Sequence, residues 1–389
     1  MYYFRVPVST GTFLIPFQLP MSFKLHYLAF AALSLLFACK KEVERIVVQD
    51  RQYSWTSANK SAGIYNVFMG MGKGPDGLYL QQPGGFLTLE QQQGSVKEQQ
   101  YLLAITTDVN ARVPIGPNFF VRFIDSTVNI IPNKHIVTGQ YYRDIHLRRL
   151  DPRARLVPKG YYPHLKMGAI SANGYLLFSY LTDNLFSDSQ MHLVLAQVPA
   201  INPGDLFPQP LPTPQVITIP VLGVGTFPSY PILITAIDNY FLVDCGYQGV
   251  YRIEQTGAYR RVSSTTYGAE TFYKWKGKVY AHTASSQLGI SDDDGLTWQF
   301  KSGAGGILRF NSIHPVGDSL VGIYHGAGNN QLFTLKVNST GYQARLLKRD
   351  GLEKLEMTDL EVWRDTVYLA TTGGLFKKPV KTFFEDQPK

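Results

Sequence analysis

The side chains best placed by type and spacing to do chemistry are the consecutive acids Asp292, Asp293 and Asp294, which run into Gly295 and are followed by Thr297-Trp298. Three neighbouring carboxylates suggest either a cation site or a tight turn. A calcium loop sets its acids at alternating positions ahead of its glycine. Position 290 is Ile, so the calcium spacing fails. In a turn, an Asp carboxylate accepts hydrogen bonds from nearby backbone N–H groups, Gly295 supplies the unusual φ, and Trp298 is a large apolar body to wedge between sheets. Ser291, Asp293, Gly295, Thr297 and Trp298 are therefore read as structural.

The other constellations are weaker. Gly72-Lys73-Gly74-Pro75-Asp76-Gly77 matches Gly-x-Gly-x-x-Gly, but Pro75 and the strand-like Leu78-Tyr79-Leu80 leave no helix to face a pyrophosphate. It reads as a turn. The eight His residues form no His-x-His or His-x-x-x-His pair. His282 and His325 occupy equivalent strands and could share a rim, although two His alone are an incomplete metal set. Cys245 has no local nucleophile motif and reads as a small buried strand residue. Tyr141-Tyr142, Tyr161-Tyr162 and Phe119-Phe120 could stack on sugars or pack between sheets. No catalytic, cofactor-binding or metal residue is assigned, and no cofactor is expected.

The elements that position these residues emerge from an internal repeat. Gly289-Ile290-Ser291-Asp292 matches Gly249-Val250-Tyr251-Arg252 and Gly374-Leu375-Phe376-Lys377, with Gln331-Leu332-Phe333-Thr334 between them. The steps are about 40 to 43 residues, the length of a four-stranded propeller blade. Apolar strands precede the copies at 240–245, 278–283, 319–325 and 366–371, and further strands at 231–237 and 271–275 precede two of these. The register extends back through Gln190-Met191-His192-Leu193, Asp144-Ile145-His146-Leu147 and Gly85-Phe86-Leu87-Thr88. Seven copies predict an all-β, seven-bladed β-propeller, with six blades as the alternative. The Pro-rich stretch 199–220 and the polar run 91–100 are expected to be loops. Ile46–Trp55 is expected to supply the strand that closes the ring.

With every fixed position of Ser-x-Asp-x-Gly-x-Thr-Trp filled, Ser291–Trp298 resembles an Asp box, the hairpin motif of sialidase-like (BNR-type) propellers. Ala370-Thr371-Thr372-Gly373-Gly374-Leu375-Phe376 is similar to a strand-turn-strand of photosystem-assembly-factor-like propellers. Sialidase activity would imply an arginine cluster, a Tyr-Glu nucleophile pair and an Asp acid/base beside an oxocarbenium-like transition state. The family's first arginine motif is matched by Phe4-Arg5-Val6-Pro7, which lies ahead of the export signal described next. Arg122, Arg309, Glu270 and Tyr273 fall near starts of strands that could face the channel.

At the N-terminus, Lys24 precedes the apolar run 25–37, and Leu36-Phe37-Ala38-Cys39 resembles the lipobox of bacterial lipoproteins. The run has secretory length and is too short to span a bilayer. Residues 1–38 are thus read as a signal peptide, with Met21 a candidate true start, 39–50 as a tether lipidated on Cys39, and 51–389 as the propeller. The expected location is the outer membrane or cell surface, with Lys40, Lys41 and Glu42 pointing to the surface. Once Cys39 carries lipid, Cys245 is the one remaining thiol, which excludes an intramolecular disulfide. The formal net charge of +8 contains no Lys/Arg run longer than two, which argues against nucleic acid as a partner. A monomeric binding or scaffold module for glycan, peptide or a membrane-complex partner is expected; the alternative is a sialidase-like glycoside hydrolase or lyase with its acids on irregular loops.

Overall fold

The computed structural model describes residues 55–58, 66–74, 77–83, 85–92, 95–102, 112–133, 143–157, 166–183, 189–199, 210–221, 233–264, 269–283, 285, 287–302, 310–326, 329–338, 342–352 and 354–384. The chain divides into Met1–Gln52 and Tyr53–Lys389, and every described residue lies in the second unit. Cys39, the segment 1–38 and the tether 39–50 fall outside the described residues.

Tyr53–Lys389 is an all-β propeller of seven blades, built by antiparallel pairing. The first strand among the described residues, β1 (Thr56–Ser57), belongs to the last blade. Blade 1 holds β2 (Gly70–Lys73), β3 (Gly77–Gln82), β4 (Gly85–Gln92) and β5 (Ser95–Leu102). Blade 2 holds β6 (Phe119–Ile124), β7 (Thr127–Pro132) and β8 (Arg143–His146), followed by one helical turn, Leu147–Leu150. The third blade holds β10 (Gly168–Ile170), β11 (Tyr175–Thr182), β12 (Gln190–Gln197) and β13 (Gln215–Pro220), with β9 (Ala154–Leu156) on the end of β11. Blades 4 to 6 each have four strands: β14 (Leu233–Ile237) to β17 (Tyr259–Ser263), β18 (Ala269–Trp275) to β21 (Gln299–Ser302), and β22 (Phe310–Val316) to β25 (Tyr342–Leu346). Blade 7 comprises β26 (Met357–Trp363), β27 (Thr366–Thr371), β28 (Gly374–Pro379) and, outermost, β1.

Six of the seven repeat copies mark the third strand of a blade: β4, β12, β16 (Val250–Glu254), β20 (Gln287–Ser291), β24 (Asn329–Val337) and β28; the copy at Asp144–Leu147 falls instead on β8, the outermost strand of blade 2, whose inner place belongs to the segment Arg112–Gly116. Between the first two strands of blades 4 to 7 lie two-residue turns at Asp238-Asn239, Lys276-Gly277, Gly317-Asp318 and Arg364-Asp365. Positive φ at their first residues matches the right-handed twist of the strands. The strands that follow are apolar on both faces because each blade packs against two neighbours. For example, Leu78, Leu80, Leu87 and Leu89 of blade 1 pack with Trp363, Tyr368, Ala370 and Leu375 of blade 7.

Three expectations are corrected. The run 91–100 forms the end of β4 and most of β5 rather than a loop. Part of the Pro-rich stretch is β13, whose prolines sit outside the strand or at its last residue, where no ladder N–H is missed. Ring closure falls on Thr56 and Ser57, paired with Lys377 and Phe376, just beyond the expected 46–55 segment. Two residues suffice because Trp55 adds a buried side chain, edge-on to Phe383 at 5.7 Å, in the core between blades 6 and 7.

If that anchor holds the ring closed, Trp55→Ala lowers the unfolding free energy by about 3 kcal/mol, as expected for truncating a buried Trp. Urea denaturation measures it; a loss below about 1 kcal/mol would show that closure does not rest on Trp55.

Candidate functional site in the central channel

The innermost strands of neighbouring blades touch around the axis: β2 with β26, β26 with β22, β22 with β18, β18 with β14, and β14 with β10. In blade 2 the inner place is taken by the extended segment Arg112–Gly116. It meets β6 through a bridge between Ile115 and Phe120 and bonds from Gly116 N to Phe119 O and from Val121 N to Pro114 O. A Cβ on Gly72 of β2 would come within 2.6 Å of the Ile115 side chain, so glycine permits this close approach.

Asp359, on the bulged inner strand of blade 7, is buried among groups from four other blades. Its Oδ2 accepts the backbone N–H of Met71 from blade 1 at 2.8 Å and the Arg112 guanidinium from blade 2. Its Oδ1 accepts Leu360 N–H at 3.1 Å and lies 3.7 Å from His314 Nε2 of blade 6. Two residues on, and so on the same face of the strand, Glu361 pairs with Lys73 of blade 1 at 2.6 Å. Lys166, just ahead of β10 in blade 3, completes the group. Among the described residues its ammonium has no hydrogen-bond or ion-pair partner, while its backbone carbonyl accepts Ile234 N–H at 2.8 Å.

The electrostatics follow from this packing. Burial pushes the Asp359 carboxyl up, but Arg112, His314, Lys166 and the Met71 N–H together outweigh it and hold the group below its ordinary value. For Glu361 burial wins over Lys73 and the pKa rises. The Arg112 charge, then burial, depress Lys166 to about 8, against the pull of Asp359 and Glu361. Burial, reinforced by Lys166, Arg112 and Lys73, pushes His314 down to about 4, so it is neutral at pH 7. Beside these charges lies a cavity of about 170 Å³, lined by Arg112, Lys166, Thr235 and mostly apolar residues such as Met71, Ile170 and Ile234.

The residues singled out in the sequence lie elsewhere. Arg122 is buried in β6, outside the inner ring, and Tyr273 stacks on Tyr280 at 5.2 Å in the core between blades 5 and 6. Arg5, Arg309, the Glu270 side chain, Tyr141-Tyr142 and Tyr161-Tyr162 fall outside the described residues. Phe119 and Phe120 are buried between blades and offer no sugar platform. His282 is wholly buried, 3.3 Å from the Tyr342 hydroxyl, and is no rim residue; the His325 side chain lies outside the described residues. Cys245 ends up half-buried in a turn after β15 (Tyr240–Asp244), with Sγ 3.3 Å from Met191 Sδ, and burial raises its thiol pKa. Arg112-Val113-Pro114 repeats the Arg-Val-Pro of residues 5–7, with Ala111 where that segment has Phe4. Its arginine does reach the channel.

At Ser291–Trp298, Asp293 accepts Thr297 N–H at 2.9 Å, Thr297 Oγ1 at 2.6 Å, Leu296 N–H at 3.2 Å and Ser291 Oγ at 2.7 Å. These bonds hold its carboxyl well below the usual range. Gly295 has φ of 82° and donates its N–H to Ser291 Oγ at 2.8 Å. Asp292 and Asp294 pair with Lys278 and Lys274. Among the described residues no cluster of three or more metal-ligating side chains occurs.

No family model matches the chain, and no curated protein matches it. Among solved structures, it is similar to the extracellular domain of a hybrid two component system from B. thetaiotaomicron, with 14% identity and a TM-score of 0.50 over 84% of this chain and 39% of that one. The chain thus spans about two-fifths of that protein's length. A chain of a Mitotic Checkpoint Complex aligns with 10% identity and a TM-score of 0.51 over 84% of this chain and 93% of that one. BamB from Moraxella catarrhalis aligns with 13% identity and a TM-score of 0.48, over 83% and 98%. At such identities the likeness is one of fold.

Two substitutions test the channel. A lysine whose folded pKa lies below its ordinary 10.5 binds fewer protons when folded, so stability rises with pH between about 8 and 10.5. Lys166→Met is therefore expected to be more stable than the parent at pH 7, with the gain shrinking by pH 10 as the parent loses its buried charge. A less stable variant at pH 7 would refute the assignment. Asp359→Asn leaves the Arg112 guanidinium without its counter-ion and is expected to lose about 3 kcal/mol by urea denaturation, with much of the loss recovered by adding Arg112→Met.

Proposed function

We propose that this chain is a lipid-anchored propeller of the bacterial envelope, facing outward, that acts as a monomeric binding or scaffold module. The observation that carries the binding role is the channel. Charges from blades 1, 2 and 7 are committed to one another, and blade 3 adds a cation, unpaired among the described residues, beside a cavity. Buried ionisable groups with displaced pKa values in a concave site are where ligands are met. Placement in the envelope rests on Leu36-Phe37-Ala38-Cys39 after a short apolar run. The fold shared with the B. thetaiotaomicron extracellular domain is compatible with it and does not extend to a ligand. Propeller loops around the channel would meet a glycan, a peptide or a membrane-complex partner.

A second reading, a sialidase-like glycoside hydrolase, is favoured by one observation. Asp359 and Glu361 share a face about 7 Å apart along their strand, and their environments drive their pKa values in opposite directions, as in an acid/base pair. These acids sit on an inner strand and not on irregular loops. Each is held in an ion pair, which favours the non-catalytic reading.

Cell fractionation tests the anchor: the full chain is expected in the membrane fraction, and Cys39→Ser in the soluble one. A Cys39→Ser protein that stays with the membrane would sink the lipidation assignment. The detergent-solubilised full chain is expected to leave fluorogenic glycosides uncleaved; turnover abolished by Glu361→Gln would replace the binding reading with the hydrolase.

A further inference from the structure

The charges that meet in the channel do not cancel. Lys73 pairs with Glu361 and Arg112 with Asp359, His314 is neutral at pH 7, and among the described residues Lys166 remains as one positive charge in excess. Its field is felt by His314, Asp359 and Glu361 from two other blades. An ammonium without a counter-ion in a partly buried place is costly to keep. A bound anion would remove that cost.

The cavity beside Lys166 sets the size and character of such an anion. Its volume of about 170 Å³ is that of roughly ten water sites, room for an acid of a few carbons. Arg112 uses Nη2 on Asp359, and a guanidinium carries further N–H donors. Thr235 brings a hydroxyl from blade 4. The remaining lining residues, among them Met71, Val113, Pro114, Ile170 and Ile234, are mostly apolar in type, but the surface they leave accessible in the cavity is for the greater part polar. One spare charge matches a monoanion better than a phosphate dianion, and the small volume with its little accessible apolar surface suits a short acid.

We propose that the channel cavity is a binding site for a short organic monocarboxylate, with Lys166 as its counter-charge and Arg112 and Thr235 as further donors. This deepens the binding-module reading, on which it rests, by naming the chemistry of its ligand.

The test uses the solubilised full chain and isothermal titration with sodium acetate, propionate and butyrate at constant ionic strength. Sodium chloride, sodium phosphate and propionamide serve as controls. Propionate and butyrate are expected to bind, with propionamide and the inorganic anions at least tenfold weaker. Lys166→Met should weaken propionate binding at least tenfold, whereas Lys336→Met, which removes an exposed charge from blade 6, should leave it unchanged. Because Lys166→Met is expected to be the more stable protein at pH 7, its loss of binding cannot be ascribed to unfolding, and thermal melts of both variants check this. Equal binding of chloride and propionate, unchanged binding by Lys166→Met, or no binding of any carboxylate overturns the proposal. The last outcome leaves the binding-module reading intact if immobilised glycans still retain the protein, so the two failures are distinguishable.

Discussion

The carboxylate of Asp359 is the interaction on which the closed ring depends. A propeller is a sheet array bent into a circle, and its weak point is the seam where the last blade meets the first. Here one side chain from blade 7 accepts a backbone N–H from blade 1 and a guanidinium from blade 2, so three successive blades share one acceptor. The edge is sealed separately, by Thr56 and Ser57 against β28 and by Trp55 in the core. Both devices join residues from opposite ends of the chain. The same logic recurs elsewhere in the ring. Asp244 of blade 4, wholly buried, accepts Ala269 N–H from the inner strand of blade 5 and Gly246 N–H at 2.5 Å, and Gln81 of blade 1 accepts Val113 N–H at 3.0 Å.

Burying such groups is unfavourable unless each charge finds a partner. That constraint separates the channel into a structural part and a part open to function. Arg112 and Asp359, and Lys73 and Glu361, satisfy each other and serve the ring. Lys166 is placed near Arg112, the neighbour that most disfavours its charge, and among the described residues its bond to blade 4 runs through the backbone carbonyl rather than the ammonium.

The acids that looked most reactive in the sequence are engaged in local structure. Asp293 spends its oxygens on backbone and hydroxyl donors within four residues. Asp294 reaches blade 4 instead: its carbonyl accepts Arg252 Nη1 at 2.5 Å, and Lys274 links its carboxylate to Asp238. Trp298 packs near Phe272 in the core between blades 4 and 5. The turn therefore fastens one blade to the next, an interblade role added to the local one that its residue pattern already indicates.

Periodicity and turn chemistry act over short stretches, and these the sequence determined by itself. The register of the third strands in six blades and the apolar second strands were readable because a strand repeats every two residues and a blade about every 40 to 50. Sequence alone could not show that 91–100 pairs as strands, since Gln and Glu side chains carry no apolar alternation. Only the tertiary structure decided the channel. Arg112 and Asp359 lie 247 residues apart, in segments that otherwise look like ordinary strand entries. No local pattern marks them, because the physical reason for their types is a desolvated neighbour that ring closure alone brings into reach.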